Sequence, residues 1–433
     1  MDLKRKLTRL GNAGPGSKAG VQEGPVADAK GDRAQRIAEL QTQIQSLMAR
    51  PSVPRERRAG KAQGLADLPF SASEHASGVF HCGRHAYPVT QRHGMVHLHT
   101  AMDAAGQAVA TLALDPALSG FDPARALFVD TETTGLAGGT GTIPFLVGLA
   151  WFEGRDFHVE QFFLAELGAE RPMLERVAER IAGAGALVSF NGKSFDLPLL
   201  RSRFVMSRVQ APKEPPHLDL VHVARRVYGG RMESCRLTAL ERDVLGFVRE
   251  GDVPSSDIPE RYARYLRTGD TSQLQAVIEH NRWDIVAMAA LLGELAARTS
   301  GADAAGRWEP ADMVGLARTA QRAGEGGLAA SLADGATRRA RVEPEVAARA
   351  HTLAAALHRK QGDHTASETR LLAALEHSPG DPTIHLLLAK LYEHKLGDVE
   401  KALHHAQRAA GYEDAETNEK RLARLAKARE KGA

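Results

Sequence analysis

"FVDTETTGL", residues 128–136, joins a short apolar run to an acid, a threonine and a second acid. The run reads as a buried strand. Alternate residues of a strand face the same way, so Asp130 and Glu132 stand side by side and repel each other. Burying such charges is costly unless they are paired or bound to a metal. The stretch therefore asks either for a cation or for a plain structural role, capping the strand and the turn after it.

Outward from this strand the pattern is that of an α/β domain over residues 126–298. "IPFLVGLAWF" and "FHVEQFFLAE" read as two further strands joined by the turn "EGRD". "RPMLERVAERIAGAG" reads as a helix, with Pro172 in its first turn and Leu174, Val177, Ala178 and Ile181 on one face. "ALVSFNG" is a fourth strand, followed by a helix from about Asp196, and "HLDLVHVARR" begins as a fifth strand. Three successive strands, then alternation, predict a mixed β-sheet flanked by helices. The remainder of the domain reads as mostly helical.

The 433 residues allow two or three domains, and 43% hydrophobic with 25% charged residues is ordinary globular composition. A net charge of +3 gives no global basic field. Two cysteines, Cys82 and Cys235, exclude a disulfide framework or a zinc cluster and fit a reducing, cytoplasmic setting. No apolar stretch approaches the ~18 residues of a membrane span, and the basic N-terminus lacks a signal-peptide core. Residues 1–60 read as an N-terminal extension, disordered to about residue 32. Ile37, Leu40, Ile44 and Leu47 then mark an amphipathic helix ended by Pro51 and Pro54. Residues 61–125 read as an accessory β segment in which "MVHLHTAM" and "AVATLAL" are strands.

Two more stretches bear on the acids of strand one. "SFNGKSFDLPLL" sets Asp196 beyond a strand and a glycine-containing turn, at a helix start. "EHNRWDIVAMAALL" puts His280 and Asp284 at i and i+4 on one helix face, beside a core stripe of Ile285, Met288, Ala289 and Leu292. Four acids at element ends, Asp130, Glu132, Asp196 and Asp284, offer the hard oxygen ligands that suit Mg²⁺ or Mn²⁺. Two such ions about 3.5–4 Å apart form the clamp used for in-line phosphodiester cleavage. A histidine, with an unperturbed pKa of about 6.5, suits the base for the attacking water. Taken singly, Asp196 also reads as an N-cap, His280 as a satisfied polar residue at a helix edge, and Asp284 as a solvated acid.

"DTETTG", "NGKSFD" and "HNRWD" together resemble the three motifs of the DEDD-type exonucleases, the DnaQ-like group with a ribonuclease H-like fold. The third motif has that family's Tyr-x-x-x-Asp spacing with His280 in the tyrosine position. "SCRLTALERDVLGFVREGDVPSSDIPERYARYL", followed by "HNRWDI", is similar to the YprB-like branch. The resemblance implies that Asp130, Glu132, Asp196 and Asp284 are metal ligands for two Mg²⁺ or Mn²⁺ ions. It implies that His280 orients or deprotonates water, and that Asn191 braces the turn presenting Asp196. Around Thr131 and Thr133 it implies backbone contact with the terminal nucleotide. The reaction implied is hydrolysis of DNA or RNA from a 3′ end, releasing 5′-mononucleotides. A structure-selective endonuclease and a non-catalytic scaffold are the alternatives.

Residues 311–412 change pattern again. Gly362-Asp363 and Gly397-Asp398 are 35 residues apart, each between Ala/Leu-rich helical stretches, with an earlier unit around "LARTAQRAGEGGLAASLADGA". This is similar to the tetratricopeptide repeat, whose stacked helices offer a concave surface to a protein partner. Residues 413–433 are a charged tail or terminal helix. "GLAGGTGT" (135–142) lacks the Lys-Ser/Thr of a phosphate loop and reads as a flexible connection. Trp283 either stacks on a base or packs on a neighbouring helix. Between Arg201 and Arg242, nine Lys/Arg face four Asp/Glu, which is either a basic lip for a phosphate backbone or a solvated helix surface.

Overall fold

The computed structural model describes residues 65–135, 141–299, 308–339 and 343–432. The N-terminal extension with its amphipathic helix, and Leu136–Thr140 of the glycine-rich connection, lie outside the described residues. Everything described falls within one of the chain's two units, Pro51–Ala433.

The strand that opens the domain, β5 (Ala126–Thr133), lies inside a seven-stranded sheet of order β1-β2-β7-β6-β5-β8-β9. It pairs antiparallel with β6 (Pro144–Glu153) and parallel with β8 (Ala186–Ser189). Its unbroken apolar start has a simple cause, since both faces of the sheet are covered. Ala126 and Phe128 belong to one hydrophobic core and Leu127 and Val129 to another. By the same alternation Asp130 and Glu132 follow the Phe128 face and Thr131 the opposite one. A register shift between Glu132 and Thr133 ends regular pairing beside the acids, as β-bulges often do next to functional sites.

β6 continues into β7 (Asp156–Phe163) through the expected turn, and β8 pairs in parallel with the three-residue β9 (His217–Asp219). On the other side, β1 (Ser71–His75) and β2 (Gly78–Pro88) extend the same sheet by antiparallel pairing of β2 with β7. Two expected strands of that segment are absent. In "MVHLHTAM" only Val96–His97 is extended, as β4 of a small hairpin with β3 (Arg92–His93), and Leu98–Asp103 is a 3-10 helix. "AVATLAL" lies almost wholly in helix α1 (Gly106–Ala113). Alanine favours helix, and Val109 and Leu112 stand three apart, so one helical face buries both; seven residues are too few for period alone to decide.

The flanking helices are α2 (Glu170–Gly183), α3 (Asp196–Met206), α4 (Leu220–Tyr228), the short α5 (Leu237–Leu240), α6 (Ile258–Thr268) and α7 (Leu274–Thr299). α5 runs into a π-turn, Glu241–Leu245. α7 lies on the Asp130 face of the sheet, where Gln161 Nε2 donates to the Ile278 carbonyl and to Asn281 Oδ1. Its Leu274, Val277 and Ile278 join the Leu127 core, and Ile285 to Ala296 supply the Phe128 core. His280 and Asp284 sit between these two stretches, with His280 beside Glu132 near the carboxyl end of β5.

The C-terminal region is helical: α8 (Pro310–Ala323), α9 (Gly326–Arg338), α10 (Pro344–Gln361), α11 (His364–His377), α12 (Pro382–Leu391), α13 (Val399–Arg408) and α14 (Ala415–Gly432). The paired Gly-Asp signals have one structural meaning. Gly362 (φ 87°) and Gly397 (φ 72°) take the left-handed conformation that ends a helix. Asp363 and Asp398 then cap the next helix by accepting from the Ala366 and Lys401 N–H groups. α8 packs on α4, and Met313, Val314 and Leu316 share one core with Val223 and Val227. Asp312, fully buried, accepts from Arg231 at 2.9 Å and lies 3.6 Å from Arg298.

Candidate metal centre

The sheet, α3 and α7 bring Asp130, Glu132, Asp196, His280 and Asp284 to one place. Asp130 lies opposite Gly148 of β6, and Gly148 lies opposite Gln161 of β7. A Cβ at Gly148 would collide with Asn281 Oδ1 and Ile285 Cδ1, so the glycine lets α7 lie directly on the sheet. In that space Asn281 donates from Nδ2 to Asp130 Oδ2 at 2.6 Å and accepts from Gln161 Nε2 at 2.7 Å. Burial pushes the Asp130 carboxyl well above its ordinary value, and Asp284 and Asp196 push it further. Glu132 is raised likewise, by burial and then by Asp130 and Asp284.

Asp196 is the first residue of α3, presented by a turn whose pivot is Asn191 in the left-handed region (φ 71°). The Asn191 carbonyl accepts from the Ser194 and Phe195 N–H groups. The Asp219 carboxylate accepts from the backbone N–H groups of Asn191, Lys193 and Val221, a structural role. Thr131 Oγ1 donates to Asp196 Oδ1 at 2.5 Å from the opposite face of β5. Burial raises Asp196 to about 6 even against that hydrogen bond. Thr133 Oγ1 donates to the Gly135 carbonyl. Both threonine hydroxyls thus serve the protein's own backbone and acids.

His280 is buried, with Nδ1 2.6 Å from Asp252 Oδ1. Its Nε2 faces Asp284 Oδ2 at 3.7 Å and Glu132 Oε1 at 4.0 Å. One donor atom from each of Glu132, His280 and Asp284 lies within 4.8 Å of the others. Asp284 accepts from Arg249 Nη2 at 2.5 Å. Arg249 also donates from Nε to Glu241 Oε2 at 2.7 Å and lies 3.3 Å from Asp252. Glu241 in turn meets His93 Nε2 at 2.8 Å. Burial opposes the charge of Arg249, but Asp284 and Glu241 outweigh it and hold the guanidinium above its ordinary pKa. Trp283 lies under that guanidinium, 5.7 Å from ring centre to Cζ.

Four carboxylates at the end of a sheet, three of them raised first by burial and two of these, Asp130 and Glu132, raised further by neighbouring acids, are the donor chemistry of a hard divalent cation. The residues fit such an ion. Arg249, Asp252, Glu241, Asn281, Gln161 and Gly148 are the members that motif reasoning missed. A glycine inside the apolar strand "IPFLVGLAWF" was the one signal present, since such a residue often marks close approach of another backbone or ligand. Of the supposed basic lip, four cations are held in ion pairs: Arg201 with Glu214, Arg203 with Glu170, Arg231 with Asp312 and Arg242 with Asp243.

Residues 127–296 match the family model RNase_H_2, described as RNase_H superfamily. The uncharacterized protein YprB of Bacillus subtilis (strain 168) is 32% identical over 213 residues, which cover 47% of this chain and 50% of the relative. The chain thus aligns with about half the length of the curated relative it matches. The superfamily match agrees with the mixed sheet and its flanking helices, and points to a nuclease-type function. No helix among the described residues is long and apolar enough to cross a membrane.

Proposed function

We propose that this protein is a metal-dependent nuclease of the DEDD type that hydrolyses phosphodiester bonds of DNA or RNA from the 3′ end, releasing 5′-mononucleotides. The observation that carries the reading is the convergence of four carboxylates and His280 Nε2 at the end of β5. Asp130, Glu132, Asp196 and Asp284 would hold two Mg²⁺ or Mn²⁺ ions. Bound there, such ions activate water and stabilise charge on the phosphate oxygens.

The chain's own groups supply the rest. The Asp252 carboxylate favours the tautomer with hydrogen on Nδ1 of His280, leaving the Nε2 lone pair turned to the acids. That nitrogen takes the proton of the attacking water, and Asp252 stabilises the imidazolium that results. Asn281 orients Asp130, Thr131 orients Asp196, and the Asn191 turn sets the start of α3. With the threonine hydroxyls engaged, backbone groups around Thr131 and Thr133 are the ones left to meet a terminal nucleotide. The C-terminal helical hairpins, read as tetratricopeptide-like, would recruit a protein partner.

The test incubates the protein with 5′-labelled single-stranded DNA and RNA and Mn²⁺ or Mg²⁺, beside EDTA and Asp130→Ala controls. A ladder shortening from the 3′ end, absent in both controls, is expected. Internal cuts would make the enzyme an endonuclease. Cleavage unaffected by Asp130→Ala would remove the site from consideration.

A further inference from the structure

The Asp284 carboxylate is held by a cation the protein itself provides. Arg249 reaches it at 2.5 Å from the segment that precedes α6, and the guanidinium is almost entirely buried, its side chain 4% exposed. It is also anchored from behind. Glu241, 1% exposed, binds Nε, and His93 binds the second oxygen of Glu241. His93 comes from the β3–β4 hairpin, outside the residues that match the superfamily. Met95 of that hairpin donates its N–H to the Leu245 carbonyl at 2.7 Å, tying the hairpin to the π-turn that carries Glu241. A buried cation fixed on three sides is a built feature, not a surface arginine that happens to lie near an acid.

Resting on the metal-dependent reading above, we propose that Arg249 is a resident counter-ion of the acidic centre, competing with the divalent cation that Asp284 would ligate. Of the ions the acids would hold, the one that Asp284 would ligate could bind only as that carboxylate exchanges Arg249 for it. The arrangement keeps Asp284 paired while the site is empty, which limits the repulsion among four buried carboxylates. It also makes the second binding event weaker than the first. Arg249 is a positioning residue in this account, since it acts through Asp284.

The test is a Mn²⁺ titration of the full-length protein, reading free Mn²⁺ by its paramagnetic resonance signal, for wild type and Arg249→Gln. Thermal melts first establish folding. The wild type should bind one ion tightly and a second more weakly. Arg249→Gln should tighten the second ion at least tenfold, because Asp284 is freed and a positive charge is gone. A merely structural role predicts the opposite, since loosening the segment would weaken binding. Should Arg249→Gln fail to fold because Glu241 is left buried without its guanidinium partner, the double variant Glu241→Gln/Arg249→Gln removes both and should still bind the second ion more tightly than wild type. Unchanged or weakened binding in a folded variant overturns the proposal and leaves the metal site standing. No Mn²⁺ binding by any of the proteins overturns the metal reading and this proposal with it.

Discussion

Replacing Asp196 by Asn should make the metal-free protein more stable, an unusual expectation for a buried polar residue with a hydrogen-bond partner. The folded carboxyl titrates at about 6, against an ordinary 3.8. At ~1.4 kcal/mol per pH unit, keeping it ionised at pH 7.5 costs the folded state up to about 3 kcal/mol. A raised carboxyl contributes its full stability below pH 3.8 and loses it as pH climbs through 6. Asn has the same shape, carries no charge and still offers Oδ1 to the Thr131 hydroxyl. Urea unfolding in EDTA at pH 7.5 should therefore show Asp196→Asn more stable by about 1–3 kcal/mol. The gap should close between pH 6 and pH 4. Mn²⁺ at about 1,000 times its Kd should reverse the order, because a ligand at that concentration stabilises the wild type by about 4.1 kcal/mol. Two results would refute the reasoning: a variant less stable than wild type at pH 7.5 without metal, or a gap of equal size at pH 4 and pH 7.5.

Other outcomes follow from neighbouring contacts. Asp252→Asn, which loosens the tautomer of His280, should slow single-turnover cleavage roughly tenfold to a hundredfold while Mn²⁺ affinity in a titration barely changes; equal losses in both would make Asp252 part of the metal site. Gly148→Ala should cost about 1–3 kcal/mol in urea unfolding, because the added carbon meets Asn281 and Ile285; a neutral result would mean α7 does not lie that close to the sheet. Truncation at residue 309 should abolish soluble expression, since it strips α8 from Val223 and Val227 and leaves Arg231 and Arg298 without Asp312. Truncation at residue 381 removes helices packed mainly in a separate C-terminal core and should leave a soluble protein by size-exclusion chromatography.

The sequence showed most plainly those features that repeat or alternate. The apolar run before Asp130, the i,i+4 pair His280 and Asp284, and the Gly-Asp caps at 362–363 and 397–398 each carry a local geometric signal, and each lies on the element expected. "AVATLAL" misled because its choice of helix depends on what it packs against, the core that Val109 and Leu112 share with residues of α4, α7 and α8. Arg249, Asp252 and Glu241 were illegible for a related reason. They act through partners 28 to 35 residues away along the chain, or 148 for Glu241 with His93, and no spacing rule spans a loop of that length. For the basic stretch 201–242 a charge count alone left two readings open, because it is blind to the acids that pair with Arg203, Arg231 and Arg242 from outside the stretch.

The pairing of β2 with β7 sets a timetable for synthesis. Pro88 meets Asp156 and His81 meets Phe163, partners made 68 and 82 residues later. At about 5–20 residues per second, the β1–β2 hairpin waits roughly 3–16 seconds for its neighbour, and a lone hairpin is marginal in water. Its outer strand, "SASEH", is short, polar and largely exposed, which suits an edge that must stay solitary without recruiting another chain. The acids of β5 wait longer still, because α7 delivers His280 and Asp284 about 150 residues after Asp130. A nascent chain is thus without its full set of clustered acids until most of the sheet is in place, and the order of translation itself delays their assembly.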